Sequence, residues 1–131
     1  MSAAYVDASA LVKLLKTERE TKAFRAALVD WPVQVASELI RVEAVCTARR
    51  LGDEDVLRRA DAALERIDLI PLTAEIVERA SDAYDPPLRA MDAIHLATAL
   101  TIRADLGAVF VYDEDLYAAA RAHELNPLAP R

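Results

Sequence analysis

The chain has 131 residues, of which 54% are hydrophobic and only two are glycine. The length fits one domain over residues 1–131, and this composition argues against a disordered chain and against a turn-rich β fold. The formal net charge of −6 argues against a protein that binds nucleic acid through a basic surface.

Periodicity and capping residues predict alternating strands and helices in the first half of the chain. In order, these are a buried strand over 3–6, a helical run over 10–15 capped by Asp7 or Ser9, a helix over 20–29, a strand over 32–36, and a helix that Ser37 caps and that carries Glu43.

The same alternation continues in the second half. The predicted elements are a helix over 53–66, a strand over 67–72, a helix over 74–83 capped by Thr73, a helix over 89–104 ended by Leu106 and Gly107, a strand over 109–112, and a helix over 116–122. Strands separated by helices favour a parallel sheet. We therefore expect an α/β fold with three α/β/α layers and a central, mostly parallel sheet of four to five strands.

Carboxylates fall at positions where such a sheet would gather them. Asp7 and Asp113 directly follow predicted strands, and the carboxyl ends of parallel strands form ligand sites. Asp92 lies in the first turn of its helix, where the helix dipole stabilises negative charge. Glu43 shares a helix face with Leu39 and Cys46, so its carboxylate needs a partner.

Each of these acids also has a purely structural explanation. Asp7 and Asp113 could be helix N-caps, Asp92 an ordinary first-turn acid, and Glu43 a surface partner of a nearby arginine. Together, however, they offer several oxygen donors with no cysteine or histidine pair, a set that favours Mg²⁺ or Mn²⁺ over zinc. Two such ions would change the net charge of −6 to −2, which weakens the objection to RNA.

The residues around these acids resemble the PIN domain, and within it the toxin nucleases of bacterial VapBC toxin–antitoxin pairs. The resemblance covers nearly the whole chain and rests on YVDASALVK at 5–13, RVEA at 41–44, RAMDAIHLA at 89–97 and VYDEDL at 111–116. It implies that Asp7, Glu43, Asp92 and Asp113 form the catalytic metal site, with the Ser9 hydroxyl beside the first acid.

The resemblance further implies an Mg²⁺- or Mn²⁺-dependent ribonuclease that leaves a 5′-phosphate and a 3′-hydroxyl. It also implies a small cognate antitoxin protein and a homodimer. Val111 stands where the family often has Thr or Ser, so Asp115 is an auxiliary candidate for the fourth acid. The competing function is a catalytically inactive PIN-like module that binds RNA or a partner protein.

Several other residues have roles that the sequence suggests without deciding. His95 follows Asp92 by three residues and could carry a proton, contact phosphate, or simply pack against the backbone. Five arginines could contact RNA or lie on a solvated helix face: Arg41, Arg49, Arg50, Arg58 and Arg59. The single cysteine, Cys46, is predicted to be a buried structural thiol.

Targeting signals do not stand out in the sequence. No basic leader precedes an apolar run, and the longest weakly polar segment, 93–102, is shorter than the ~20 residues that span a bilayer. We therefore expect a soluble, cytoplasmic protein that makes no membrane contact.

Overall fold

The structure, a computed structural model, describes residues 2–82 and 84–131. Within these residues the chain forms five strands: β1 (Ala3–Val6), β2 (Gln34–Ser37), β3 (Ile67–Ile70), β4 (Leu106–Phe110) and β5 (Pro127–Leu128). They form one sheet in the order β3-β2-β1-β4-β5, and every neighbouring pair is parallel. β1 lies at the centre, and all four of its residues are buried.

Seven α-helices of the described residues flank this sheet: α1 (Ala8–Leu15), α2 (Thr21–Leu28), α3 (Ile40–Leu51), α4 (Glu54–Glu65), α5 (Ala74–Ala80), α6 (Ala90–Thr101) and α7 (Glu114–Ala122). The helices α1 to α4 contact one another, whereas α6 packs against α5, α7 and β2. The predicted three-layer α/β/α architecture is confirmed. The predicted end of α5 at Ala83 lies outside the described residues.

The predicted helix caps are mostly confirmed. The side chains of Asp7, Asp53, Thr73 and Asp113 accept hydrogen bonds from backbone N–H groups in the first turns of α1, α4, α5 and α7. Ser37 is the exception, because it is the last residue of β2 and α3 begins only at Ile40. Its hydroxyl instead accepts from the N–H of Leu39 at 3.2 Å, in the turn between the two elements.

The prediction for β4 was wrong in its position. Leu106 and Gly107 read as a helix end, yet they begin the strand, and β4 stops at Phe110. Gly107 has a packing role here, because a Cβ built on it would lie 2.6 Å from the Trp31 ring. The two-residue strand β5, which pairs with the end of β4, was too short for a periodicity argument.

The buried face of α3 also differs from the predicted one. Its buried residues are Ile40, Ala44 and Ala48, whereas Val42 is 58% exposed. Cys46 is exposed, so the prediction of a buried thiol was wrong. The small Ala44 and Ala48 let α3 approach its neighbours closely, and this turns the larger apolar side chains Val42 and Cys46 towards solvent.

Aromatic and aliphatic side chains fill the space between the sheet and the helices. Phe24 packs against Phe110 with ring centroids 5.3 Å apart, and Trp31 meets the same ring edge-on at 6.5 Å. This core fixes the carboxyl ends of β1 and β4 beside each other. No helix among residues 2–82 and 84–131 is long and apolar enough to cross a membrane.

Candidate metal centre

The predicted acids lie around the point where the strand order of the sheet reverses. In the sheet, β2 and then β3 lie on one side of β1, and β4 and then β5 lie on its other side. Asp7 directly follows β1, and Asp113 follows β4 after two residues. In open parallel sheets such a switch point opens a crevice beyond the carboxyl ends of the strands, which is where ligands bind.

Asp7 is held rigidly at this edge. Its backbone N–H donates to the carbonyl of Phe110 at 3.2 Å, so the β1–β4 pairing extends to the aspartate itself. Its side chain is only 2% exposed and accepts from the N–H of Ala10 at 2.9 Å. Asp7 is therefore the N-cap of α1, as one prediction had it, and also a buried carboxylate at the switch point.

Ser9 links the ends of the two central strands. Its hydroxyl lies 2.7 and 2.9 Å from the two carboxylate oxygens of Asp7, to which it donates. The same oxygen accepts from the backbone N–H groups of Tyr112 at 2.8 Å and Asp113 at 3.1 Å. One hydroxyl thus fixes the Asp7 carboxylate and the loop that carries Asp113. Val111, two residues before Asp113, is fully buried.

Asp92 and Asp113 approach from two different helices. Asp92 is half-buried in the first turn of α6, and Asp113 uses one oxygen to cap α7 through the N–H of Leu116 at 2.8 Å. Burial raises the pKa of Asp92, and the negative charge of Asp113 raises it further. The two carboxylates therefore lie within electrostatic reach of each other. Asp115, the auxiliary candidate, is exposed.

Glu43 has the partner that its position required, but this partner is not an arginine. Its Oε1 lies 2.7 Å from Nε2 of His95, whose Nδ1 lies 2.7 Å from the hydroxyl of Tyr5. The negative charge of Glu43 also contributes to the raised pKa of Asp92. His95 thus hydrogen-bonds to two side chains, and among the described residues its ring makes no hydrogen bond to the backbone, so the backbone-packing prediction was wrong. Its proposed roles as a proton carrier or a phosphate contact stay predictions.

Asp7 is a buried carboxylate without a cationic side-chain partner among the described residues. Burial raises the pKa of the Asp7 carboxyl from 3.8 to about 6, although the His95 charge and the Ser9 hydrogen bond partly oppose it. Among the ion pairs of the described residues, none joins Asp7, Asp92 or Asp113 to a lysine or arginine. Carboxylates that form no ion pair with a cationic side chain leave an excess of negative charge, which a divalent ion would balance.

The donor chemistry therefore fits Mg²⁺ or Mn²⁺, because all four candidate ligands offer hard carboxylate oxygens. In the part of the chain that the structure describes, no group of three or more His, Cys, Asp or Glu side chains is already arranged around one ion.

Little in the sequence indicated that Tyr5 belongs to this site or that His95 bridges Tyr5 and Glu43. Tyr5 lies in a strand where every residue is buried, and its hydroxyl accepts from the N–H of Ser37 at 3.0 Å. A phenol in the middle of a buried strand needs a polar partner, which was the available signal. Burial also raises the pKa of Tyr5 above its ordinary value of 10.0, so the phenol stays protonated.

The candidate RNA-binding arginines do not act as one group. Arg58 pairs with Asp55 within α4, and Nε of Arg59 donates to the carbonyl of Leu15 at 2.8 Å. The remaining three are exposed along α3: Arg41, Arg49 and Arg50. A cavity of about 420 Å³ is lined by Arg59, Arg25 and Arg66 together with apolar residues of α1, α2 and α4, and none of the four acids lines it.

Comparison with protein families identifies close relatives. The family model described as PIN domain matches residues 4–122. Ribonuclease VapC46 of Mycobacterium tuberculosis is 35% identical over 130 residues and covers 99% of each chain. Ribonuclease VapC47 from the same species is 37% identical over 121 residues and covers 89% of each chain.

Comparison with solved structures gives the same fold. A chain of a toxin–antitoxin complex from Klebsiella pneumoniae superposes with a TM-score of 0.74 at 25% identity, covering 98% of both chains. The sarcin-ricin loop cleaving toxin VapC20 of M. tuberculosis gives a TM-score of 0.72 over 89% of this chain and 95% of that one. Its identity of 19% supports the fold alone.

Proposed function

The chain belongs to the PIN-domain family, among its VapC-type ribonucleases, and we propose that it is a Mg²⁺- or Mn²⁺-dependent ribonuclease that acts as the toxin of a toxin–antitoxin pair. The ribonuclease relatives cover nearly its full length. The observation that carries the metal-dependent part is the buried Asp7 carboxylate at the β1–β4 switch point, which forms no ion pair with a lysine or arginine among the described residues.

The chain's own residues have distinct tasks in this proposal. Asp7, Glu43, Asp92 and Asp113 hold the divalent ion, and Ser9 fixes the orientation of Asp7 relative to the loop that carries Asp113. The bound ion supplies the activation of a water molecule and the neutralisation of charge on the phosphate. The burial of Asp7 excludes water from one side of the site and strengthens its interaction with a cation.

The reaction is hydrolysis of an RNA phosphodiester bond to a 5′-phosphate and a 3′-hydroxyl. A water molecule attacks phosphorus and gives up a proton to a carboxylate of the site. The bond from phosphorus to the 3′ oxygen breaks, and the leaving 3′ oxygen takes up a proton from solvent water. No side-chain nucleophile is needed.

We also propose a small antitoxin partner and a homodimer. The Klebsiella pneumoniae structure is by its title a toxin–antitoxin complex, and this chain covers 98% of the compared chain. A metal-dependent toxin of this kind is neutralised when its partner covers the acidic crevice. Co-expression with the partner, followed by size-exclusion chromatography with light scattering, would measure both the complex and the dimer.

The decisive experiment incubates the partner-free protein with total RNA in Mn²⁺ or Mg²⁺. We expect cleavage that chelator abolishes and that Asp92→Asn reduces by more than the ~10- to 100-fold that loss of an orienting partner costs, because Asp92→Asn removes a proposed ligand itself. Asp61→Asn is the matched control, because Asp61 is an exposed acid on α4 remote in sequence from the site. Cleavage that persists in chelator and in Asp92→Asn would refute the proposal.

Two substitutions, Asp113→Asn and Asp115→Asn, distinguish which residue is the fourth acid. Asn caps helices as well as Asp does, so Asp113→Asn removes charge while keeping the start of α7. We expect Asp113→Asn to lose cleavage and Asp115→Asn to retain it, because Asp115 is exposed. The reverse result would reassign the fourth ligand to Asp115. If wild type binds Mn²⁺ but cuts no RNA, the protein is the non-catalytic binding module.

A further inference from the structure

A buried chain of hydrogen bonds leads from the sheet to Glu43. The N–H of Ser37 donates to the Tyr5 hydroxyl at 3.0 Å, this hydroxyl lies 2.7 Å from Nδ1 of His95, and Nε2 of His95 lies 2.7 Å from Oε1 of Glu43. Tyr5 is 1% and His95 2% exposed, whereas the Glu43 side chain is 23% exposed. The chain therefore starts in the core and ends at the edge of the crevice.

The donors and acceptors of this chain fix its two ends. At one end the Tyr5 oxygen accepts from the backbone N–H of Ser37. At the other end Nε2 of His95 donates to Glu43, because a carboxylate oxygen only accepts. Between them, Nδ1 of His95 and the Tyr5 hydroxyl share one hydrogen bond.

The location of the chain connects it to the other acids. Tyr5 lies two residues before Asp7 on β1, and His95 lies one turn after Asp92 on α6. Residues three apart on a helix share a face, so His95 approaches the crevice beside Asp92. Glu43 belongs to a third element, α3, and has more rotatable bonds than an aspartate. Without a partner its carboxylate would sample several positions.

We propose that His95 is a positioning residue that holds one oxygen of Glu43 and leaves the other for the divalent ion. Tyr5 fixes the histidine in turn. This inference rests on the proposed metal site, and it gives a specific function to a buried polar network that plain packing would not require. Partners that orient a metal ligand typically contribute 10- to 100-fold to metal affinity.

The test uses two amide substitutions of His95 that place the donor differently. His95→Gln places an amide N–H at the reach of Nε2 and keeps a donor for Glu43, whereas the shorter His95→Asn reaches only Tyr5. Mn²⁺ affinity of the full-length protein is measured by titration calorimetry. We expect His95→Asn to weaken Mn²⁺ binding about 10- to 100-fold and His95→Gln to stay within a few-fold of wild type.

A double-mutant cycle separates positioning from a general effect on the fold. Glu43→Gln weakens Mn²⁺ binding by itself, and we expect His95→Asn to add no further loss in that background, since it acts through Glu43. A purely structural histidine would weaken binding equally in both backgrounds. Tyr5→Phe provides a second route if His95→Asn folds poorly, because it keeps the histidine but frees its ring, and we expect a several-fold loss.

The outcomes distinguish this inference from the proposed function. If wild type binds Mn²⁺ and His95→Asn and Tyr5→Phe bind it equally well, the positioning role is overturned and the metal site stands. Equal losses in His95→Asn and His95→Gln, tracking their thermal unfolding, would also overturn it. If wild type binds no Mn²⁺, the metal site and the positioning role fall together.

Discussion

Replacing Asp7 by Asn should stabilise the metal-free protein while removing a proposed metal ligand. Asp7 is 2% exposed and carries a charge with no lysine or arginine partner among the described residues, so folding forces a carboxylate out of water. Asn has the same shape and keeps the oxygen that accepts from Ala10, but it carries no charge. The substitution therefore removes the buried charge, and its amide nitrogen also replaces one of the two oxygens to which Ser9 donates.

The size of this cost follows from the pKa of Asp7. A folded-state pKa of about 6 against an ordinary value of 3.8 corresponds to ~3 kcal/mol when the group is fully ionised. Because the pKa is raised on folding, the folded state binds the proton more tightly than the unfolded chain does. The contribution of Asp7 to stability is therefore least unfavourable below about pH 4, becomes more unfavourable as the pH rises towards 6, and stays unfavourable above it.

Urea unfolding of both proteins at several pH values measures the effect. In chelator-treated, metal-free buffer we expect the stability difference between Asp7→Asn and wild type to grow by about 2 to 3 kcal/mol from pH 4 to pH 7.5. The measured quantity is how the difference in unfolding free energy changes with pH. A pH-independent cost of the new amide cancels in it, and so do the other acids, which both proteins share. Asp61→Asn, an exposed control, should show a difference that is flat with pH. A flat difference for Asp7→Asn would refute the argument.

Three further substitutions follow from single contacts. Ser9→Ala should lower stability by ~1–3 kcal/mol and reduce cleavage, because two buried N–H groups lose their acceptor; Ser9→Thr, which keeps the hydroxyl, should retain both. Gly107→Ala should lower the free energy of unfolding by ~1–3 kcal/mol, because its Cβ would meet the Trp31 ring. An unchanged melting temperature and unchanged Trp31 fluorescence would contradict this. Arg58→Ala should change stability by less than ~0.5 kcal/mol, because its ion pair with Asp55 is exposed, and a larger loss in urea unfolding would contradict this.

The sequence alone determined the layered fold and the list of acids. Buried β-branched runs alternate with helical periodicity, and this pattern is local, so it predicted the α/β/α layers and placed Asp7 at the end of β1. Side-chain caps such as Asp53 and Thr73 were also readable, because each acts within a few residues of its own position. The motifs around Asp7, Glu43, Asp92 and Asp113 named the family.

Only the tertiary structure decided how these acids are held. The bonds from His95 to Tyr5 and Glu43 span 90 and 52 residues, and Ser9 reaches Asp113 across 104 residues. Sequence spacing carries no information about such pairs, because strand order and helix packing set them. The same reason explains the errors at Cys46 and Gly107, whose environments depend on which neighbouring element covers them. The sequence pattern named the candidate ligands, and long-range packing set the contacts that hold them.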